Sequence, residues 1–279
     1  MKTRRNFLID TGAFALGSLL LPTITEDPKK VKNVGLQLYT FRKEMLADAT
    51  GTLKQIAALG IKQIESAASD KGNYYGLKPK EMKQVCTDLG MTLRSGHVHI
   101  DNKWQQTLND AAESGQEYII CSSMPARGQT VDNYKKAAEA FNRSGEDANK
   151  LNLKFGYHNH DYEFESENGQ VLYDVLVKNT QPNLVHLELD LGWVIIGGKD
   201  PLDYFRNYPG RFPLWHLKDM DLQKKHSVEF GKGSLQIVKI LQHSKQSGMK
   251  YLFVEQEEYA STPQQSIKED MDYLVKLKF

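Results

Sequence analysis

With 279 residues the chain is long enough for one large domain, and about 250 residues is the usual length of a (β/α)8 barrel. Lysine and arginine number 36 against 35 aspartate and glutamate, a net charge of +1, so no global field gathers nucleic acid or an anionic membrane surface. The two cysteines, Cys86 and Cys121, lack metal-type spacing and read as buried apolar residues on core elements, with a disulfide between them left open.

The first residues have the layout of an export signal. TRRNFLI, from Thr3 to Ile9, precedes an uncharged apolar run from Thr11 to Leu21 and then Pro22. The adjacent Arg4 and Arg5, with Phe7 and Leu8, resemble a twin-arginine signal, which sends folded and often metal-loaded proteins across a bacterial membrane. The expectation is an export signal over 1–27, a periplasmic or otherwise exported product, and a single barrel domain over 28–279. No later run approaches the roughly 18 apolar residues of a membrane span, and no cysteine follows the signal for lipid attachment, so no stable membrane anchor is expected.

Along the chain, apolar helical stripes end in a glycine that is followed at once by a β-rich run: Gly60, Gly90, Gly115 and Gly248. Met82, Val85, Cys86 and Leu89 stand at helical spacing behind Pro79, which suits a first turn. Ile267, Met271, Leu274 and Val275 repeat the spacing, with Thr262 placed to cap a helix that starts at Pro263. Candidate strands lie near 34–39, 61–65, 91–98, 117–122, 153–160, 185–190, 213–218 and 250–256. Strands alternating with helices predict parallel strands, right-handed crossovers and an α/β fold closed as a (β/α)8 TIM barrel. The competing open doubly wound sheet normally brings a Gly-rich phosphate loop after an early strand, and none is present.

Alternate strand residues face the same way, so one set points into a barrel and the other toward its helices. Strand 5 offers His158 and His160 on one face, strand 6 offers His186, Glu188 and Asp190 in step, strand 7 pairs His216 with Lys218, and strand 8 has Glu255 and Glu257. Inward polar residues near C-terminal strand ends are what a barrel active site is made of. Imidazoles with carboxylates suit one divalent ion of the Mn²⁺, Co²⁺ or Zn²⁺ kind better than Mg²⁺. Any single such histidine or glutamate is ordinarily structural or solvated; consecutive strands ending this way together would bury unpaired charge, which is costly.

The run GLQLYTFR followed by HNHDYEF, ELDLGW, HLKD and VEQEE resembles the xylose isomerase-like TIM barrels, the sugar phosphate isomerases/epimerases that include D-tagatose 3-epimerase and inosose dehydratase and are related to endonuclease IV. That resemblance covers nearly the whole chain after the signal. It implies a metal held by an acidic residue after strand 5, an Asp on strand 6, a His on strand 7 and a Glu on strand 8. Asp190, His216 and Glu255 match the last three, and His158 stands where the epimerases have Glu. It also implies proton transfer next to a metal-polarised carbonyl through an enediolate, with Glu255 or a nearby His as base and His158 counted among the catalytic groups; Lys218, two residues past His216, is placed to stabilise an enolate or a sugar oxygen, or else to pair with Glu188 or Asp190. The endonucleases carry an extra imidazole three residues past the strand-6 Asp; here that residue is Trp193, which with the neutral charge argues against a nuclease. Substrate contacts are expected from Gln37, Tyr39, Glu65, His97, His99, His160, Glu188, Trp193 and Glu229, and ring stacking from Trp193, Phe164 or Trp215. The partner is therefore a small carbohydrate, in keto form and unphosphorylated if the protein is exported; homo-oligomerisation is open. A noncatalytic sugar-binding barrel is the alternative, motivated by His158 in place of the Glu.

Overall fold

The structure is a computed structural model that describes residues 31, 34–125 and 128–279; the expected export signal over 1–27 lies outside the described residues. Eight parallel strands close a barrel: β1 Gly35–Gln37, β2 Gln63–Ala67, β3 Thr92–Val98, β4 Tyr118–Cys121, β5 Lys154–His158, β6 Val185–Asp190, β7 Leu214–Leu217 and β8 Tyr251–Val254. Each pairs with its chain neighbours, and β8 closes on β1 through Gly35↔Phe253 and Leu36↔Val254. The closed order rules out the open doubly wound sheet.

Strand lengths were overestimated at the mouth for local reasons. β1 stops at Gln37 because its side chain accepts the amide of Tyr39 and starts a 3-10 turn over Leu38–Phe41. β5 stops at His158, which leaves Asn159 and His160 in the loop beyond the strand and removes the strict face-sharing expected of His158 and His160.

The glycines that end the helical stripes behave as the punctuation predicts: Gly60, Gly90, Gly115 and Gly248 all have φ between 68° and 86°. The helix Pro79–Asp88 buries Met82 and Cys86, and Thr262 Oγ1 accepts the amide of Gln265 at the start of the helix Pro263–Lys276. In that last helix Ile267 and Leu274 are buried but Val275 is 71% exposed, so the predicted apolar face is one residue too wide. Cys86 and Cys121 are free thiols in the core, and no described helix is long and apolar enough to cross a membrane.

The core forms two shells. Outward strand residues such as Ile64, Phe155, Leu187, Leu189 and Leu252 pack against the helices, while Tyr118, Ile120, Leu214 and Phe253 fill the barrel's lower interior. Gly35 is required by this filling, because a Cβ there would lie 2.4 Å from the Phe253 ring. Above that apolar plug the inward positions turn polar, and Gln37, Glu65, Ser95, His158, Glu188, Asp190, His216 and Lys218 are all buried.

Candidate functional site

Strand pairing brings the polar residues into one layer. Asp190 lies beside His216 across β6–β7, His158 beside Glu188 across β5–β6, and Phe253, two residues before Glu255, beside His216 across β7–β8. His158, Asp190, His216 and Glu255 are all buried and each offers a ligand atom, every pair of these atoms lying within 4.8 Å.

Surrounding groups orient these ligands. Asp190 Oδ1 accepts the amide of Trp193 at 2.9 Å, capping the helix Leu191–Ile196, which leaves Oδ2 facing the centre. Asn159 braces the same residue, its Oδ1 accepting the Asp190 amide at 3.0 Å. His216 Nε2 is held by Glu65 Oε1 at 2.5 Å, so its Nδ1 faces Glu255 Oε2 at 2.9 Å and Asp190 Oδ2 at 3.9 Å. His158 repeats the arrangement: Nδ1 lies 3.2 Å from Glu188 Oε2, and Nε2 lies 4.0 Å from Asp190 Oδ2. An imidazole with one nitrogen on a carboxylate and the other on the shared centre is how proteins fix a metal-binding tautomer. A second grouping, His97, His158, Glu188 and His216, meets the same spacing, but Glu188 Oε2 already engages all three imidazoles, at 2.7, 3.2 and 3.3 Å. Both groupings share His158 and His216.

The charge balance also fits a cation. Asp190, Glu255 and Glu257 converge on one buried ammonium, that of Lys218, whose Nζ lies 3.0 Å from Asp190 Oδ2, 2.8 Å from Glu255 Oε2 and 2.6 Å from Glu257 Oε1, while Glu65 and Glu188 lie against the imidazoles of His97 and His216. The contact to Asp190 is at ion-pair distance without hydrogen-bond alignment, and Glu188 Oε1 is buried with no hydrogen-bond partner. Protein groups alone restore balance through protons on imidazoles. Burial opposes charge on His97, yet Glu65 and Glu188 outweigh it and hold its pKa up at about 9. His216 is likewise raised well above the ordinary value, with Glu188, Glu255 and Glu65 overcoming burial. A divalent ion supplies the same positive charge without those protons, so the donor set, its orientation and its excess of carboxylate all fit such a group.

Above the centre opens a pocket of about 270 Å³ at the C-terminal mouth, lined by Tyr39, His97, His160, Trp193, Glu255 and Glu257 among others. His160 stays neutral: burial, then Lys218, lowers its pKa to about 4. Its amide is fixed by Glu163 Oε2 at 2.8 Å, and its ring stacks on Tyr162. Trp193 lies with its ring 4.8 Å from Lys218 Nζ.

Several expected residues stand elsewhere. Gln37, Glu65 and Glu188 are fully buried and none of them lines the pocket; Glu65 and Glu188 hold the imidazoles of His97, His158 and His216, and Gln37 Nε2 donates to Glu65 Oε1 at 2.9 Å. Glu229 is turned away from the mouth: Oε1 accepts from Ser266 Oγ at 2.7 Å and Oε2 pairs with Lys232 at 3.2 Å, which fastens its loop to the last helix. Trp215 faces outward, its ring stacked on Phe205 at 4.9 Å, and Phe164 packs between Tyr173 and Tyr204 outside the barrel. His186, in step with Glu188 and Asp190, sits at the far end of β6 against Tyr118. Asn159, Ser95 and Ser122 were not anticipated; Ser95 Oγ donates to Glu65 Oε2 at 2.5 Å.

A family model described as xylose isomerase-like TIM barrel matches residues 53–277. The chain belongs to that family. Among relatives of this xylose isomerase-like barrel, an inosose dehydratase of Geobacillus kaustophilus (strain HTA426) is 23% identical over 212 residues, 64% of this chain and 66% of that protein. An inosose dehydratase of Clostridium tetani (strain Massachusetts / E88) is 33% identical over 91 residues, 33% of this chain and 30% of that protein. The chain thus aligns with less than two thirds of the length of these curated relatives. A crystal structure of a sugar phosphate isomerase/epimerase from Parabacteroides distasonis ATCC 8503 superposes with a TM-score of 0.79 at 27% identity, covering 88% of this chain and 99% of the other.

Proposed function

We propose that the chain is a divalent-metal-dependent enzyme that removes a proton next to the carbonyl of a sugar or keto-sugar, with isomerisation, epimerisation or elimination as the outcome. The observation that carries this reading is the convergence of His158, Asp190, His216 and Glu255 on one buried centre directly beneath a polar pocket at the C-terminal mouth. The named relatives, inosose dehydratases and a sugar phosphate isomerase/epimerase, support the substrate class. Fold alone would not, since one barrel hosts many chemistries.

In this reading His158, Asp190, His216 and Glu255 hold one Mn²⁺, Co²⁺ or Zn²⁺ ion, which when bound polarises a carbonyl oxygen and acidifies the adjacent C–H. Glu255 then serves as a ligand. Burial alone would raise its pKa, but Lys218 and His216 hold it well below the ordinary value, so it stays a charged carboxylate suited to holding a cation. Proton abstraction falls to His160, which lines the pocket and is uncharged at neutral pH. The Lys218 ammonium, fully buried behind the pocket, acts through its carboxylate partners and holds Glu255 and Glu257 in place at the pocket wall. Trp193 supplies a ring face for the sugar. We extend the reading to an exported protein acting on an unphosphorylated substrate, motivated by the sequence from Thr3 to Pro22.

Turnover of keto-sugars in D2O with Mn²⁺-loaded protein tests the proposal. Deuterium entering the carbon beside the carbonyl is the expected result, abolished in His160→Ala. Sugar binding with no product and no exchange over long incubation would overturn it in favour of a noncatalytic sugar-binding barrel.

A further inference from the structure

A second, larger hollow of about 730 Å³ opens beside the metal-site pocket, and the two share Ala68 and His99 along their common edge. The loop after β2, the loop after β3 and the first turns of the helix Trp104–Ser114 form it. Its walls are held by the protein itself. Ser69 Oγ donates to the Gly72 carbonyl at 2.7 Å and accepts from the Lys71 amide at 3.2 Å, Lys71 Nζ donates to the Leu46 carbonyl at 2.6 Å, and Tyr74 Oη donates to Gln116 Oε1 at 3.1 Å. The loop backbone around the hollow is thus fixed before anything binds, which lowers the ordering cost of binding.

Its chemistry is polar and electrically balanced. Lys71, Lys78 and Lys103 are offset by Asp70, Asp101 and Asp110, with Tyr74 and Leu77 as the apolar surface. Lys71 is already tied to a carbonyl, which leaves no converging set of cations for an anion. Among the described residues the side chains of Asp70, Asn73 and Lys103 make no hydrogen bond or ion pair, so donors and acceptors stand free along the wall. Mixed free donors and acceptors beside an aromatic edge match a neutral polyhydroxyl ligand. The inner pocket, about 270 Å³, is small for a ligand site, where about 300–1,000 Å³ is usual; with the hollow the combined cleft reaches the upper part of that range.

We propose that the substrate carries a second hydroxylated unit: a disaccharide or glycoside whose reacting ring sits over His158, Asp190, His216 and Glu255 and whose other unit lies in the groove between the β2 and β3 loops. This rests on the sugar-site reading above and narrows its substrate class. The groove supplies binding to the remote unit and so orients the reacting ring.

The test is saturation-transfer and titration NMR on Zn²⁺-loaded full-length protein, with glucose and galactose set against maltose, cellobiose, lactose and trehalose, for the wild type and for Asp70→Ala/Lys103→Ala. The expected result is at least one disaccharide bound roughly tenfold more tightly than its constituent monosaccharide, with the double variant reduced to monosaccharide affinity. Equal affinities for both sizes, or a variant that weakens both alike, would overturn the groove assignment and leave the sugar site standing. Failure of every sugar of either size to bind would overturn the sugar-site reading and this one with it.

Discussion

Lys218→Met isolates the charge logic of the barrel mouth. Lys218 is fully buried, and its Nζ lies within 3.0 Å of Asp190, Glu255 and Glu257. Met keeps most of the side-chain volume and deletes the charge, so the carboxylates face one another without their cation. Deleting one partner of a buried ion pair costs about 3–5 kcal/mol. A domain of this size shifts about 2–4 °C in Tm per kcal/mol, so the chelator-treated variant should melt about 6–20 °C below the wild type. Without the ammonium, these carboxyl groups bind protons more tightly in the folded chain than in the unfolded one. Their folded pKa values then lie above the unfolded ones, so the deficit grows as pH rises through the carboxylate range and narrows as pH falls toward about 4. Mn²⁺ should raise the variant's Tm by more than it raises that of the wild type, because no ammonium competes for Asp190 Oδ2 and Glu255 Oε2. Thermal melts in EDTA and in Mn²⁺ at pH 5 and pH 8 measure all three effects. A variant melting within about 2 °C of the wild type in EDTA at pH 8, or a deficit larger at pH 5 than at pH 8, would refute the reasoning.

Trp215→Ala removes a fully buried ring stacked on Phe205 and should cost about 3–5 kcal/mol in denaturant unfolding while metal content stays that of the wild type; loss of metal would contradict its outward orientation. Trp193→Ala should weaken sugar binding by titration calorimetry and leave metal content intact, and unchanged sugar affinity would remove Trp193 from the pocket's working surface. Asp270 accepts the Phe230 amide at 2.7 Å, and burial lifts its pKa to about 7 despite that bond. Because the folded value lies above the unfolded one, this carboxyl makes wild-type stability fall as pH rises from about 4 to about 7. Asp270→Asn, whose amide oxygen can accept the same N–H, should gain on the wild type steadily over that window; a pH-independent difference would count against the burial argument.

Strand existence and order were legible because four of the β-rich runs follow a helix-ending glycine and because polar residues interrupt the apolar pattern at the strand ends. The same interruption exposed His158, Asp190, His216 and Glu255 as a group. Side-chain exposure was not legible: Gln37, Glu65 and Glu188 face inward as expected, but all three are fully buried against neighbouring polar groups and none lines the pocket. The outward face of Trp215 was readable, since it neighbours the inward His216 and a strand alternates. Phe164 and Glu229 lie past the ends of strands, where periodicity gives no direction; a 3-10 turn carries the first and Ser266 captures the second. Asn159 could have been found from its place between two histidines at a strand end, but its bracing of Asp190 depends on contact across β5 and β6, which no local pattern encodes.

Elemental mass spectrometry after Mn²⁺, Co²⁺ or Zn²⁺ loading and dialysis tests the metal centre most directly, with the wild type compared with Asp190→Asn, which keeps an oxygen to cap Trp193 but removes the charge at Oδ2. The expected result is about one ion per chain in the wild type and almost none in the variant, with both still folded by circular dichroism. A wild type that stays metal-free after loading, or a variant that retains the ion, would contradict a centre built on His158, Asp190, His216 and Glu255.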